Sequence, residues 1–184
     1  MDKATLRKVY LEKRQELDHD VILRKSNTIA QIFFDKVSLK GDEVIHVFLP
    51  ILKNNEVDTW AIINKLKKFY PEITIVVSKT NFKDKVLVNY VLDENSDITL
   101  SKYGIPEPQS GEVIDDKSID IVITPLLVTD EVGYRVGYGG GFYDRFFQNC
   151  RKDVIKVGVG LFPPIDHITD THELDVRLDE YIYV

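Results

Sequence analysis

The sequence predicts an α/β fold in one domain spanning residues 1–184, with a largely parallel sheet flanked by helices. Three observations lead there. Amphipathic helical segments alternate along the chain with short apolar strands, the pattern of a parallel sheet covered by helices. A length of 184 residues with 43% hydrophobic content suits a single core. Near the middle, a strand, a glycine-rich segment and a short amphipathic helix follow one another, an order common where α/β sheets bind ligands.

The elements are read in chain order. Lys3 to Leu17 carries Leu6, Val9, Tyr10 and Leu17 at near-helical spacing with charges opposite, and a second helix runs from about Asp20 to Phe34. Glu43–Pro50 reads as a strand. Asp58 or Thr59 can cap a helix to about Phe69, with Trp60, Ile63, Leu66 and Phe69 facing inward. Ile73–Ser78 and Lys85–Leu92 are the next strands, and Ser101–Glu112, with two prolines and two glycines, is expected to be ordered loop. The β-branched run Ser118–Pro125 is a buried strand. Phe142, Phe146 and Phe147 suit a helix ending before Arg151, followed by strands at Val154–Leu161 and Tyr181–Val184.

The segment Asp130–Arg145, DEVGYRVGYGGGFYDR, holds the most chemistry. Five of its sixteen residues are glycine, interleaved with Arg135, Tyr138, Tyr143, Asp144 and Arg145. Flexible linkers are Gly/Ser mixtures without such residues. The segment reads as a loop that wraps an anion and opens a helix, where free backbone N–H groups and the helix dipole favour phosphate. It is not a Walker loop, because it contains no lysine. Nor is it the dinucleotide fingerprint, because Phe142 stands where the third glycine should be.

Composition narrows the function classes. Lys+Arg 24 against Asp+Glu 30 gives a net charge of −6 without a basic stripe, which argues against nucleic acid. No apolar run reaches the roughly 18 residues of a membrane helix, and the charged N-terminus lacks a signal-peptide core. A lone cysteine, Cys150, fits a reducing cytoplasm and reads as a half-buried helix residue. His172–Glu173 opens like a zinc-protease motif, but Val176 replaces the second histidine. His19, His46 and His167 have no partners at ligand spacing.

Five short motifs in register resemble the 5-formyltetrahydrofolate cyclo-ligase family: Lys3-ATLR-Arg7, Glu56-VDT-Thr59, Gly104-IPEP-Pro108, Gly133-YRVGYGGGFYDR-Arg145 and Asp175-VRLDE-Glu180. The resemblance implies an enzyme that uses Mg-ATP to close 5-formyltetrahydrofolate to 5,10-methenyltetrahydrofolate. It implies ATP contacts from Lys3, Arg7, Arg135, Gly137, Tyr138, Gly139, Gly140, Gly141 and Tyr143, with Arg135 and Tyr143 catalytic. Substrate contacts fall to Glu56, Leu49, Tyr138 and Phe142, with Trp60 a further aromatic candidate, and Mg²⁺ to Asp144 and Asp175. The partners expected are the two small molecules, with no nucleic acid or membrane, on a monomer. Two departures stand out: Gly140 and Tyr138 replace a lysine and an arginine of some members, and Lys53-Asn-Asn55 lengthens the turn before Glu56. A non-catalytic binding relative, or a sibling acting on another N-formylated heterocycle, is the alternative.

Overall fold

The computed structural model describes residues 1–184. Asp2 caps the first helix, α1 (Lys3–Gln15), by accepting the Thr5 N–H at 2.7 Å. The buried stripe of α1 is Leu6, Tyr10 and, unexpectedly, Arg14. Helix α2 (His19–Lys36) buries Ile22, Ile29, Ala30 and Phe33. Strand β1 (Val44–Val47) leads through a 3₁₀ turn at Leu52–Asn54 into α3 (Trp60–Phe69). Then follow β2 (Thr74–Asn81), β3 (Val86–Val91), β4 (Ile98–Leu100), β5 (Pro106–Pro108), β6 (Val113–Ile114), β7 (Ile121–Pro125), β8 (Val128–Thr129) and β9 (Arg135–Val136). Helix α4 (Phe142–Asn149), β10 (Ile155–Gly160) and β11 (Glu180–Tyr183) complete the chain.

Seven strands form one sheet in the order β11-β10-β7-β1-β2-β3-β6. The first five run parallel, while β3 is antiparallel to β2 and β6 to β3. Side chains alternate between the two faces of a strand. Ile45, Val47, Ile75, Val77, Ile121 and Ile123 therefore meet Ile29 and Phe33 of α2 and Ile63 and Leu66 of α3. Val76 and Val122 meet Phe146 and Phe147 of α4 on the opposite face. Burying each of those two rings contributes roughly 1.5–3 kcal/mol and fixes where α4 begins.

The structure alters several expectations. The inward face of α3 is Ile62, Ile63 and Leu66, whereas Trp60 is 36% and Phe69 62% exposed. A ten-residue helix can bury only one stripe, and the sheet selects the Ile62–Leu66 side. Thr59 makes no cap bond. Its hydroxyl donates to the Phe48 carbonyl, while Asp58 Oδ1 accepts the Trp60 N–H at 3.1 Å. The stretch expected to be loop at Ser101–Glu112 contains β5, paired with β4. The Asp130–Arg145 segment is not one loop either: β8 and β9 form a hairpin, so glycine-rich loop proper is confined to Gly137–Gly141.

The hairpin turn depends on Gly133. Its φ is +92°, and an added Cβ would lie 2.9 Å from the Leu178 carbonyl oxygen. Gly133→Ala is expected to cost about 1–3 kcal/mol, from left-handed strain plus displacement of that backbone, measured by urea unfolding.

Candidate active site

One cavity of about 1040 Å³ opens at the carboxyl ends of β1, β2 and β7, where Phe48, Leu49, Ser78 and Pro125 line it. Ligand pockets commonly span roughly 300–1,000 Å³, so this one has room for two sizeable molecules together. Six basic side chains border it (Lys3, Arg7, Lys53, Lys85, Arg135, Arg145) against three carboxylates (Glu56, Asp144, Asp175). The cavity lining is thus locally basic in a chain of net charge −6.

The glycine loop forms one wall. Gly139 and Gly141 have φ of +94° and +64°, conformations open to glycine at little cost. None of the N–H groups from Gly137 to Gly141 donates to an acceptor within the protein, and α4 begins at Phe142. Arg7 reaches over from α1, its Nε donating to the Gly137 carbonyl at 2.9 Å. Arg145 donates to the Gly140 carbonyl from the other side. The loop is thus fixed through its carbonyls, leaving its N–H groups free.

Arg135 is clamped beside it. Its guanidinium donates to Asp144 Oδ1 at 2.8 Å and to the Val176 carbonyl, and lies 5.1 Å over the Phe147 ring. Its side chain is 6% exposed, and burial pulls its pKa below the usual arginine value, with Asp144 opposing. Asp144 Oδ1 also accepts the Val176 N–H at 3.1 Å. Asp175 Oδ2 accepts from Lys3 Nζ and from the His172 N–H at 2.8 Å. Burial works against the Asp175 charge, but Lys3 and the His172 N–H hold its pKa below the ordinary carboxylate value. No group of three His, Cys, Asp or Glu residues converges at metal-ligand spacing.

The cavity also contains Glu56, which is 4% exposed and bonded to Tyr138 of the glycine loop. One oxygen accepts the Ile51 N–H at 2.7 Å and the other the Tyr138 hydroxyl at 2.6 Å. Arg14 stands behind, 3.9 Å from Glu56 Oε1 and 3.1 Å from the Tyr138 oxygen, and also donates to the Leu126 carbonyl. Burial raises the Glu56 pKa, opposed by Arg14, the Ile51 N–H and Tyr138. The Tyr138 pKa is raised by burial and by the neighbouring Glu56 charge.

The 5-formyltetrahydrofolate cyclo-ligase family model matches residues 1–183. The chain belongs to that family. Among cyclo-ligases, the 5-formyltetrahydrofolate cyclo-ligase of Escherichia coli K12 is 34% identical over 111 residues, covering 57% of this chain and 57% of that protein. The chain thus matches little more than half the length of the first curated relatives it resembles. The cyclo-ligase of Mycoplasma genitalium is 27% identical over 169 residues, covering 86% of this chain and 84% of its own. The NMR structure of the Aquifex aeolicus 5,10-methenyltetrahydrofolate synthetase superposes with a TM-score of 0.79 at 24% identity, covering 100% of this chain and 90% of that one. That likeness shows the shared fold.

Against the cyclo-ligase motifs, the cavity gathers Lys3, Arg7, Leu49, Glu56, Arg135, Gly137–Gly141, Phe142, Tyr143, Asp144 and Asp175. Trp60 does not line it. Phe142 stands near Phe82 (5.5 Å between ring centroids), and Tyr143 packs on His46 (5.8 Å). The turn at Lys53–Asn55 is structural and also lines the cavity. Asn55, at φ +50°, caps the end of α1 by donating to the Arg14 and Leu17 carbonyls, while Lys53 Nζ donates to the Tyr103 carbonyl at 2.7 Å. Sequence reading missed Arg14, Lys85 and Ser78, and set His46 aside. An arginine at i+4 from Tyr10 on the apolar stripe of α1 was a legible hint, since charge there needs a buried partner. Cys150 caps α4 away from the cavity, and burial pushes its thiol up to about 12.

Proposed function

We propose that the protein uses ATP to convert 5-formyltetrahydrofolate to 5,10-methenyltetrahydrofolate, releasing ADP and phosphate. The observation that carries this reading is one cavity that brings together free loop N–H groups, a clamped arginine and the buried carboxylate of Glu56 held by Tyr138 and Arg14. The formyl carbon on N5 is amide-like, so its oxygen is a poor leaving group. Transfer of the γ-phosphoryl group to that oxygen, with ADP departing, makes it a good one. N10 then attacks the formyl carbon, loses its proton, and the C–O bond breaks as phosphate leaves.

The N–H groups of Gly137, Tyr138, Gly139, Gly140 and Gly141 cradle the triphosphate. Arg135, with Lys3 and Arg7, balances the charge on the transferring group, and a guanidinium does so through two parallel bonds. Glu56 takes hydrogen bonds from the heterocycle beside Leu49, Tyr138 and Phe142. Tyr143 stands at the reacting end. Its hydroxyl has no hydrogen-bond partner within the protein, and burial raises its pKa, so it stays a donor there. Holding both substrates in line supplies several kcal/mol toward the barrier.

Asp144 and Asp175 fit Mg²⁺. Each keeps one oxygen free of hydrogen bonds, Oδ2 on Asp144 and Oδ1 on Asp175. Mg²⁺ is commonly held by one or two carboxylates plus phosphate oxygens and water. When bound it neutralises charge on the β- and γ-phosphates. A monomeric cytoplasmic enzyme completes this reading, and no helix is long and apolar enough to cross a membrane.

The test is to mix protein, Mg-ATP and 5-formyltetrahydrofolate and follow the near-ultraviolet absorbance of the methenyl product. A rise requiring all three components is expected. Tight binding of one ligand without a rise would replace catalysis by a binding role. A rise only with another N-formylated heterocycle would reassign the substrate.

A further inference from the structure

We infer, resting on the cyclo-ligase reading of the cavity, that Ser78 is a specificity residue whose hydroxyl acts only as an acceptor and so selects an N–H or O–H donor on the bound ligand. Ser78 lines the cavity from β2 and pairs in register with Asn89 on β3. Behind it runs a chain of polar side chains. His46 Nε2 lies 2.7 Å from Ser78 Oγ, and Ser78 Oγ 2.7 Å from Asn89 Oδ1. Asn89 Nδ2 lies 2.8 Å from Asp116 Oδ1, and Asn149 Nδ2 3.3 Å from Asp116 Oδ2. His46 is fully buried and Asn89 is 1% exposed.

The Asn89 and Asn149 amides both donate to Asp116, whose two oxygens accept. Asn89 therefore presents its NH₂ to Asp116 and its carbonyl to Ser78. That carbonyl takes the one proton Ser78 owns. His46 must then donate to the same oxygen, as the neutral Nε2–H tautomer. Nδ1 makes no hydrogen bond, and the ring is enclosed by Tyr143 and Phe146, 5.8 and 5.1 Å away between centroids. Burial takes its pKa down to about 3, so the imidazole stays uncharged. The hydroxyl keeps one lone pair, and Ser78 borders the cavity. A ligand acceptor placed there would face an oxygen with no proton to offer, whereas an amine, amide N–H or hydroxyl gains a bond. A site built to take one polarity rejects the other strongly.

Both ligands of the cavity carry such donors, the reduced pterin on its ring and amino nitrogens and ATP on its base and ribose. Calorimetry on the intact protein separates them, titrating 5-formyltetrahydrofolate and Mg-ATP individually. Ser78→Ala is expected to weaken one of the two about tenfold. Ser78→Thr, which keeps the hydroxyl, should stay within about threefold of the unsubstituted protein, separating loss of the acceptor from loss of fold. Weakening confined to the folate assigns the donor to the pterin, and weakening confined to ATP assigns it to the nucleotide. His46→Leu tests positioning: alone it should weaken the same ligand, and added to Ser78→Ala it should cause no further loss. Unchanged affinity for both ligands in a folded Ser78→Ala overturns the assignment, and full additivity of His46→Leu overturns the positioning role. If the unsubstituted protein binds neither ligand, the cyclo-ligase reading fails and this inference falls with it.

Discussion

Arg135→Ala is expected to lower kcat by about 10³-fold while the protein remains folded. The side chain is held from three sides, by Asp144, the Val176 carbonyl and the Phe147 ring, so almost no ordering remains to be done when a phosphoryl group arrives. It also sits in a desolvated place, where charge–charge interactions are several times stronger than in water. Arg135→Lys should recover only a small part of the loss, because an ammonium cannot bond Asp144, Val176 and a phosphate in one plane. The checks are steady-state kinetics and a thermal unfolding curve for each variant. A fall in kcat of less than tenfold for Arg135→Ala would remove the residue from the phosphoryl-transfer step.

Arg14→Leu is expected to destabilise the fold by about 3–5 kcal/mol, the cost of leaving a buried carboxylate without its cation. Arg14 and Glu56 have side chains 2% and 3% exposed, so water cannot take over the role of either. The pH dependence has a definite sign. Burial already raises the Glu56 pKa, and Arg14 is the largest influence opposing that rise, so its removal moves the pKa further up. A carboxyl whose folded pKa lies above its unfolded one favours the folded state below the unfolded pKa and loses that stability as pH climbs through the folded pKa. The defect in Arg14→Leu should therefore be larger at pH 8 than at pH 5, measured by urea unfolding at both. Equal defects at the two pH values would mean that Glu56 is not the group left exposed to the loss. Glu56→Gln in the same background should restore part of the stability by deleting the uncompensated charge.

The two variants divide the site by how it could be read. Arg135, the glycines from Gly137 to Gly141 and Asp144 could be singled out because they share a short run whose residue types are unusual together, and Glu56 only through the family motif; the structure brings them to one cavity. Arg14 was not singled out. Its place on an apolar stripe was visible, but its partner lies 42 positions away, between β1 and α3. His46 looked idle for the same reason: Ser78, Asn89 and Asp116 are far from it in sequence and meet it only because β1, β2 and β3 lie side by side. The α3 face was misjudged through a different cause. Trp60 and Phe69 are apolar enough to be core, and which stripe of a short amphipathic helix is buried depends on the surface offered to it.

Local pattern therefore determined the α/β class, the helices and main strands, the glycine loop and the family motifs, since helix and strand periodicity and glycine's backbone freedom act over a few residues. Tertiary structure alone decided that a hairpin shortens the glycine loop to Gly137–Gly141 and that Arg14 supports Glu56. It also brought His46 and Asn89 together on Ser78, whose proton goes to the Asn89 carbonyl. Those three depend on strand order and on where buried polar groups find partners, and a buried donor or acceptor is satisfied by whatever the fold brings within about 3 Å, however distant in the chain.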